Sequence, residues 1–107
     1  MREIKNLNEF KEVLEEGKPI LLDFYADWCG PCQMQLPIVE KLAEQHKEDF
    51  VIAKVNVDTN GELAQQFAVR SIPSLFFIQN GEIVENLVGL QSETSLKAKI
   101  AQYTVAA

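Results

Sequence analysis

Both cysteines of this 107-residue chain lie in one five-residue segment, Trp28-Cys29-Gly30-Pro31-Cys32. Two intervening residues are too few for a disulfide that joins distant parts of a fold, so the chain must fold by burying apolar side chains. At this length it can bury a core without such cross-links. The two sulfurs can instead close a small, reversible ring, as in dithiol–disulfide exchange. Pro31 fixes a backbone angle suited to a helix start, and Gly30 leaves room for the sulfur of a partner protein.

The order of the two cysteines suggests their roles. If a helix begins within the segment, Cys29 lies at its positively polarised end, which stabilises a thiolate. Since the thiolate is the nucleophile in disulfide exchange, Cys29 is predicted to attack and Cys32 to resolve the mixed disulfide. The alternatives are an inert local disulfide and half of a zinc site. A structural zinc normally needs four Cys or His ligands, and beyond the two cysteines the chain offers only His46. The small number of possible zinc ligands therefore favours redox chemistry and predicts no metal site.

Charge and hydropathy exclude several classes of partner. Sixteen acidic and ten basic residues give a net charge of −6, which disfavours nucleic acid and anionic membrane as partners. The first six residues have no apolar signal core, and no segment reaches the length of a membrane span. We therefore expect one cytoplasmic domain over residues 1–107, although a secreted chain that had lost its signal peptide would look the same.

Hydrophobic periodicity and turn signals divide the chain into alternating helices and strands. They predict helices over about 7–14, 31–45, 59–67 and 92–103, and strands over 20–25, 50–57, 75–79 and 82–88. The third helix is assigned a capping box of Thr59 and Glu62, and Pro37 is expected to kink the second. The strand–helix–strand order predicts a parallel pair, and Asn80-Gly81 predicts an antiparallel hairpin. The result is an α/β fold with a mixed sheet covered by helices on both faces.

Asp23 stands in the middle of an apolar strand that runs directly into the cysteine segment. An edge strand with Asp23 facing water is one interpretation. A buried Asp23 would have a raised pKa and could hold or release a proton near neutrality, and we favour this functional role. Lys54 on the neighbouring strand either lies beside Asp23 and lowers its pKa or keeps its head in solvent. Pairing register cannot be read from the sequence, so both interpretations stand.

Three further features of the sequence carry predictions. Most X-Pro bonds are trans, so the residues alone favour trans for Ile72-Pro73; a cis bond would expose Ile72 as an edge that an extended peptide could pair with. Trp28 is either a contact surface for substrate or a half-buried packing residue. Met34 is predicted to lie in the core.

Taken together, these residues resemble the thioredoxin family over nearly the whole chain. The resemblance rests on the segment 23–32, Pro37, Lys54 with Asp58, Ile72-Pro73, Asn80-Gly81 and Gly89. It implies the thioredoxin fold, with a central mixed five-stranded sheet flanked by four helices. It also implies that Pro73 is cis and faces the cysteine pair.

The resemblance further implies a thiol–disulfide oxidoreductase that reduces disulfides in partner proteins. Cys29 would attack, Cys32 would resolve, and Asp23 would assist the deprotonation of Cys32 through water. Such a protein holds no bound cofactor, is recharged by a thioredoxin reductase that uses NADPH, and acts as a monomer on disulfide-containing client proteins. The substrate-binding surface would comprise Trp28, Gly30, Pro31, Ile72, Pro73 and Gly89, with Val88 beside them.

Several positions depart from the commonest pattern of that family. Gln33 stands where a Lys or Arg often follows the motif, which removes a positive charge near Cys29. Gln35-Leu36 before Pro37 is unusual, Tyr25 replaces a frequent Trp, and Ser71 replaces a frequent Gly. These departures leave the redox potential and the choice of partners open. The Gly-Pro dipeptide argues against a specialised oxidant or isomerase, and the intact motif argues against a binding module with incidental cysteines.

Overall fold

The computed structural model describes residues 1–104. These residues form, in chain order, β1 (Arg2–Glu3), α1 (Leu7–Glu15), β2 (Ile20–Tyr25), α2 (Gly30–Gln45), β3 (Val51–Asn56), α3 (Gly61–Gln66), β4 (Ser74–Gln79), β5 (Glu82–Val88) and α4 (Glu93–Tyr103). None of the helices in this range is long and apolar enough to cross a membrane. Residues 105–107, at the end of the predicted domain, lie outside the described range.

The five strands form one mixed sheet in the order β1-β3-β2-β4-β5. Strand β3 runs parallel to β1 and β2, whereas β4 is antiparallel to both β2 and β5. The predicted parallel pair and the predicted hairpin are therefore both confirmed. Strand β2 lies at the centre of the sheet and is buried along its whole length, so the cysteine segment follows directly from a strand that neighbours hold on both sides.

The hairpin between β4 and β5 turns at Asn80 and Gly81, as predicted. Their φ angles are +53° and +78°. Two consecutive left-handed residues are what a two-residue hairpin turn requires, and Asn and Gly adopt that conformation most readily. At the start of α4, the side chain of Ser92 accepts a hydrogen bond from the Ser95 N–H at 3.1 Å, which confirms the predicted cap.

Two details of the element predictions are wrong. The residue pattern did not reveal β1, because two residues are too few to show a period of alternation; it is held by pairing to Ala53 and Lys54. Helix α3 begins at Gly61 after Asn60, and its N-cap makes no side-chain hydrogen bond. The predicted capping box does not form there: the Asn60 side chain instead donates to Thr59 Oγ1 and to the Asn56 carbonyl. Helix α2 continues through Pro37 as one element, and the kink remains a prediction.

Hydrophobic side chains fill both faces of the sheet. One face packs against α1 and α3 around Phe24 and Phe76, whose rings contact each other and Phe67 in tilted and edge-to-face geometry. The other face packs against α2 and α4 around Leu21 and Phe77. Because side chains alternate along a strand, Asp23 projects from β2 on the same face as Leu21, beneath α2.

Candidate active site

The cysteine segment forms the junction between the end of β2 and the start of α2. Cys29 occupies the N-cap position with extended backbone, and the helix begins at Gly30 with Pro31 in its first turn. A disulfide joins Cys29 to Cys32, whose Cα atoms are 5.2 Å apart. The predicted helix start within the motif is therefore confirmed, and α2 directs its positively polarised end at Cys29.

The two sulfurs have different surroundings. Cys29 is 6 % exposed and Cys32 is fully buried, whereas Gly30 and Pro31 between them are exposed. The Cys32 N–H donates to Cys29 Sγ at 3.2 Å. Both cysteines pack on Tyr25 and Ala26 at the end of β2. Cys29 is thus the more accessible cysteine of the two, and a backbone donor already points at its sulfur.

Asp23 is fully buried, and neither of its carboxylate oxygens receives a hydrogen bond from the described residues. Burial raises the pKa of this carboxyl from 3.8 to about 7, and the charge of Lys54 opposes the rise. The predicted burial and raised pKa are confirmed, and the solvent-facing edge strand is excluded because β2 is central. A carboxyl in this state changes its protonation near neutral pH.

Lys54 lies directly beside Asp23, since the two residues pair in the register of β2 and β3. Its Nζ stands 5.5 Å from the centre of the Tyr25 ring, and the side chain remains partly exposed. Of the two positions that the sequence allowed for Lys54, the structure thus shows the one beside Asp23. Lys54 is close enough to lower the pKa of Asp23 but does not pair with its carboxylate.

The loop before β4 brings a second backbone segment to the disulfide. The Ile72-Pro73 bond is cis, as the resemblance implied and the residues alone did not. The Ile72 carbonyl oxygen lies 3.8 Å from Cys29 Sγ, and the Gly89 N–H donates to the Pro73 carbonyl at 2.8 Å. The structure therefore brings Ile72, Pro73 and Gly89 together with Cys29.

Several apolar side chains on the segments that carry Cys29, Cys32 and Gly89 are exposed. Trp28 is 71 % exposed, with its indole N–H donating to Asp58 Oδ2 at 2.9 Å, so its half-buried packing interpretation is wrong. Met34 is 63 % exposed, which contradicts its predicted place in the core: it lies on the outer side of α2, while Cys32 and Gln35 face inward. Val88 and Leu90 are also exposed.

The residues that depart from the commonest pattern occupy distinct positions. Gln33 is exposed and donates to the Ala26 carbonyl at 3.3 Å, Tyr25 is buried with its hydroxyl 3.4 Å from Glu3, and Ser71 is exposed. Gln35 is fully buried and bonds to the backbone of Gln91. Sequence reasoning noted Gln35 as unusual but missed this contact, because the two residues are 56 positions apart. Across residues 1–104, no three His, Cys, Asp or Glu side chains cluster as a metal site would require.

The family model for thioredoxin matches residues 2–102. The chain belongs to the thioredoxin family. It is 42 % identical over 92 residues to the thioredoxin of Alicyclobacillus acidocaldarius, a match that covers 86 % of this chain and 88 % of that one. The solved structure of a mutant thioredoxin from Halobacterium salinarum superposes with a TM-score of 0.91 at 45 % identity, covering 99 % of this chain and 92 % of that chain.

A third relative, from Mycobacterium leprae, is a bifunctional thioredoxin reductase/thioredoxin. It is 40 % identical over 94 residues, which cover 88 % of this chain and 20 % of that protein. Thioredoxin membership and the Cys29–Cys32 disulfide together make this chain a thiol–disulfide oxidoreductase, and more specifically a protein-disulfide reductase. Disulfide-bonded client proteins are the partners that this family membership implies.

Proposed function

We propose that the reductase works through Cys29 as the attacking and Cys32 as the resolving cysteine. The observation that carries this assignment is the asymmetry of the pair, with Cys29 6 % exposed and Cys32 wholly enclosed. Only Cys29 offers a sulfur to an incoming disulfide. The Cys32 N–H and the amino end of α2 both stabilise negative charge on that sulfur.

The exchange proceeds in two displacements. In the dithiol form, the Cys29 thiolate attacks one sulfur of the client disulfide, a mixed disulfide forms, and the other client sulfur leaves as a thiolate. The Cys32 thiolate then attacks Cys29 Sγ, the intramolecular disulfide closes, and the second client sulfur leaves. Two electrons pass from the cysteine pair to the client, and the chain ends in the oxidised form described above.

Asp23 takes up the proton that Cys32 must lose before the second displacement. Its carboxyl lies beneath α2, the helix that carries Cys32, and its pKa of about 7 lets it exchange a proton at neutral pH. Water between the two groups would carry the proton. Lys54 acts on this step indirectly, because its charge lowers the pKa of Asp23.

Client backbone would bind along Ile72 and Pro73, next to Cys29. Trp28, Gly30, Pro31 and Gly89 would complete an apolar docking surface. Burial of its exposed aromatic and aliphatic groups against an extended client segment would stabilise the complex.

We further propose that a thioredoxin reductase recharges the pair with electrons from NADPH, without a cofactor bound to this chain. The fused reductase and thioredoxin of the Mycobacterium leprae relative supports such a partnership. We assign the activity to the cytoplasm, where such a reducing supply exists, and to a monomer built as one domain.

Trapping the mixed disulfide tests these roles. The reduced Cys32→Ser variant, mixed with a disulfide-bonded protein such as insulin, should accumulate a covalent adduct that dithiothreitol releases. The Cys29→Ser variant should form none, because its remaining thiol is buried. Adduct formation through Cys32 would reverse the assignment, and undiminished activity of the double serine variant would point to a scaffold role.

A further inference from the structure

Gln35 is a polar residue at a fully enclosed position of α2. Its amide forms a reciprocal pair with the backbone of Gln91: Gln35 Nε2 donates to the Gln91 carbonyl at 3.1 Å, and the Gln91 N–H donates to Gln35 Oε1 at 2.7 Å. A buried amide without partners is costly. The two bonds therefore offset the burial of Gln35 and fix Gln91 against the helix.

Gln91 belongs to a segment without regular structure between β5 and α4. The opposite side of this segment is held by the Gly89 N–H, which donates to the Pro73 carbonyl at 2.8 Å. Within the segment, the Gln91 side chain folds back and donates to the Gly89 carbonyl at 3.1 Å. The segment 89–91 is thus attached to α2, which carries Cys32, on one side and to the cis-proline loop, which contacts Cys29, on the other.

We propose that Gln35 is a positioning residue that holds the segment 89–91 as a preformed wall of the client-docking surface. It acts on the affinity for protein clients and leaves the disulfide exchange itself unchanged, because its bonds reach Gln91 and not the sulfurs. An apolar side chain at this position could pack against α4 but could not satisfy the Gln91 backbone. This inference rests on the proposed function, since it requires that clients dock beside Gly89.

The test compares Gln35→Met with wild type, because Met has nearly the length of Gln but lacks its amide. The KM for reduction of insulin should rise by about fivefold to thirtyfold, the expected loss for one to two neutral hydrogen bonds. The kcat at saturating insulin should stay the same, since only binding is weakened. Reduction of a small aromatic disulfide such as 5,5′-dithiobis(2-nitrobenzoate), which does not need the wall, should be unaffected.

Two further variants separate positioning from folding. Gln45→Met makes the same replacement at an exposed position of the same helix and should leave every rate unchanged. Gln35→Leu removes both polar atoms with a second apolar shape, so it neither accepts from the Gln91 N–H nor donates to the Gln91 carbonyl. It should also raise the KM for insulin. Amide hydrogen exchange at Gln91 should be faster in both Gln35 variants and unchanged in Gln45→Met.

The outcomes are distinct. The proposal is supported if amide exchange at Gln91 becomes faster and the KM rises for insulin but not for the small disulfide. An unchanged KM in either folded Gln35 variant overturns it, as does an equal loss of rate on both substrates. If wild type reduces the small disulfide but not insulin, and Cys32→Ser traps no adduct with insulin, the proposed function fails instead, independently of Gln35.

Discussion

At the scale of single residues, Asp23 couples the chemistry of the site to the stability of the fold. Its folded-state pKa of about 7 lies above the value of 3.8 expected in the unfolded chain, so the folded protein holds this proton more tightly. The stabilisation is fully present below pH 3.8 and is lost as the pH rises towards 7, where only the unfolded chain has released the proton. The loss amounts to about 4 kcal/mol in total.

The Asp23→Asn variant should therefore be more stable than wild type at pH 8, by up to about 4 kcal/mol. The difference should fall below about 1 kcal/mol near pH 4 and vanish towards pH 3, because the wild-type carboxyl becomes protonated in the unfolded chain as well. Urea denaturation of the oxidised proteins at a series of pH values measures it. Asp49→Asn, which removes an exposed carboxylate, should show no comparable gain at pH 8. A stability difference for Asp23→Asn that is constant with pH would contradict the buried, titrating carboxyl.

At the scale of elements, the β4–β5 hairpin depends on backbone conformation at Gly81. Its φ is +78°, and a Cβ added there would meet nothing within 4 Å. Gly81→Ala should thus lower the free energy of unfolding by about 1–2 kcal/mol through left-handed strain alone. Gly61→Ala makes the same change where φ is ordinary and the space is equally open, and should leave stability unchanged or raise it by up to about 1 kcal/mol. Thermal unfolding of the two variants would show the contrast, and equal effects would contradict the turn geometry.

Elements with a local cause could be predicted from the sequence, whereas those fixed by distant contacts could not. Asn80-Gly81 and Ser92 act on their own backbone, so the hairpin and the last helix start were predicted correctly. Strand β1 exists because β3 pairs with it. The start of α3 was misplaced because the Asn60 side chain bonds back to the Asn56 carbonyl instead of capping the helix.

At the scale of the whole molecule, the same distinction separates the parts of the site. The five residues of the cysteine segment determine their own backbone conformation, so the helix start between Cys29 and Cys32 could be predicted from them. Predicting that Lys54 lies beside Asp23 would have required the pairing register of two strands. Predicting the contact of Gln35 with Gln91 would have required the packing of α2 against a loop far along the chain. Met34 was misassigned because one apolar residue does not reveal which side of a helix the core covers.

The redox potential depends on how the fold balances charge around Cys29. Stabilising a thiolate favours the dithiol form and makes the pair more oxidising. The amino end of α2 and the Cys32 N–H act in that direction, whereas the enclosed carboxyl of Asp23 and the absence of a cation at residue 33 act against it. We expect a midpoint potential close to the thioredoxin reference of about −270 mV, far from about −120 mV for the oxidant DsbA; both figures are general benchmarks and do not follow from this structure.

Gln33→Lys should raise that potential, because a positive charge one residue beyond Cys32 favours the Cys29 thiolate. Gln33 is exposed, so the interaction is screened and worth at most about 1 kcal/mol, which corresponds to a rise of up to about 20 mV. Gln45→Lys adds the same charge to α2, roughly 18 Å beyond residue 33 along the helix axis. This distance exceeds the screening length of about 8 Å at physiological salt, so the variant should not shift the potential. Equilibration of each protein in glutathione buffers at pH 7 gives the values. A fall on Gln33→Lys, or equal shifts in both variants, would show that local charge at Cys29 does not tune the pair, and a wild-type value near −120 mV would contradict its action as a reductant.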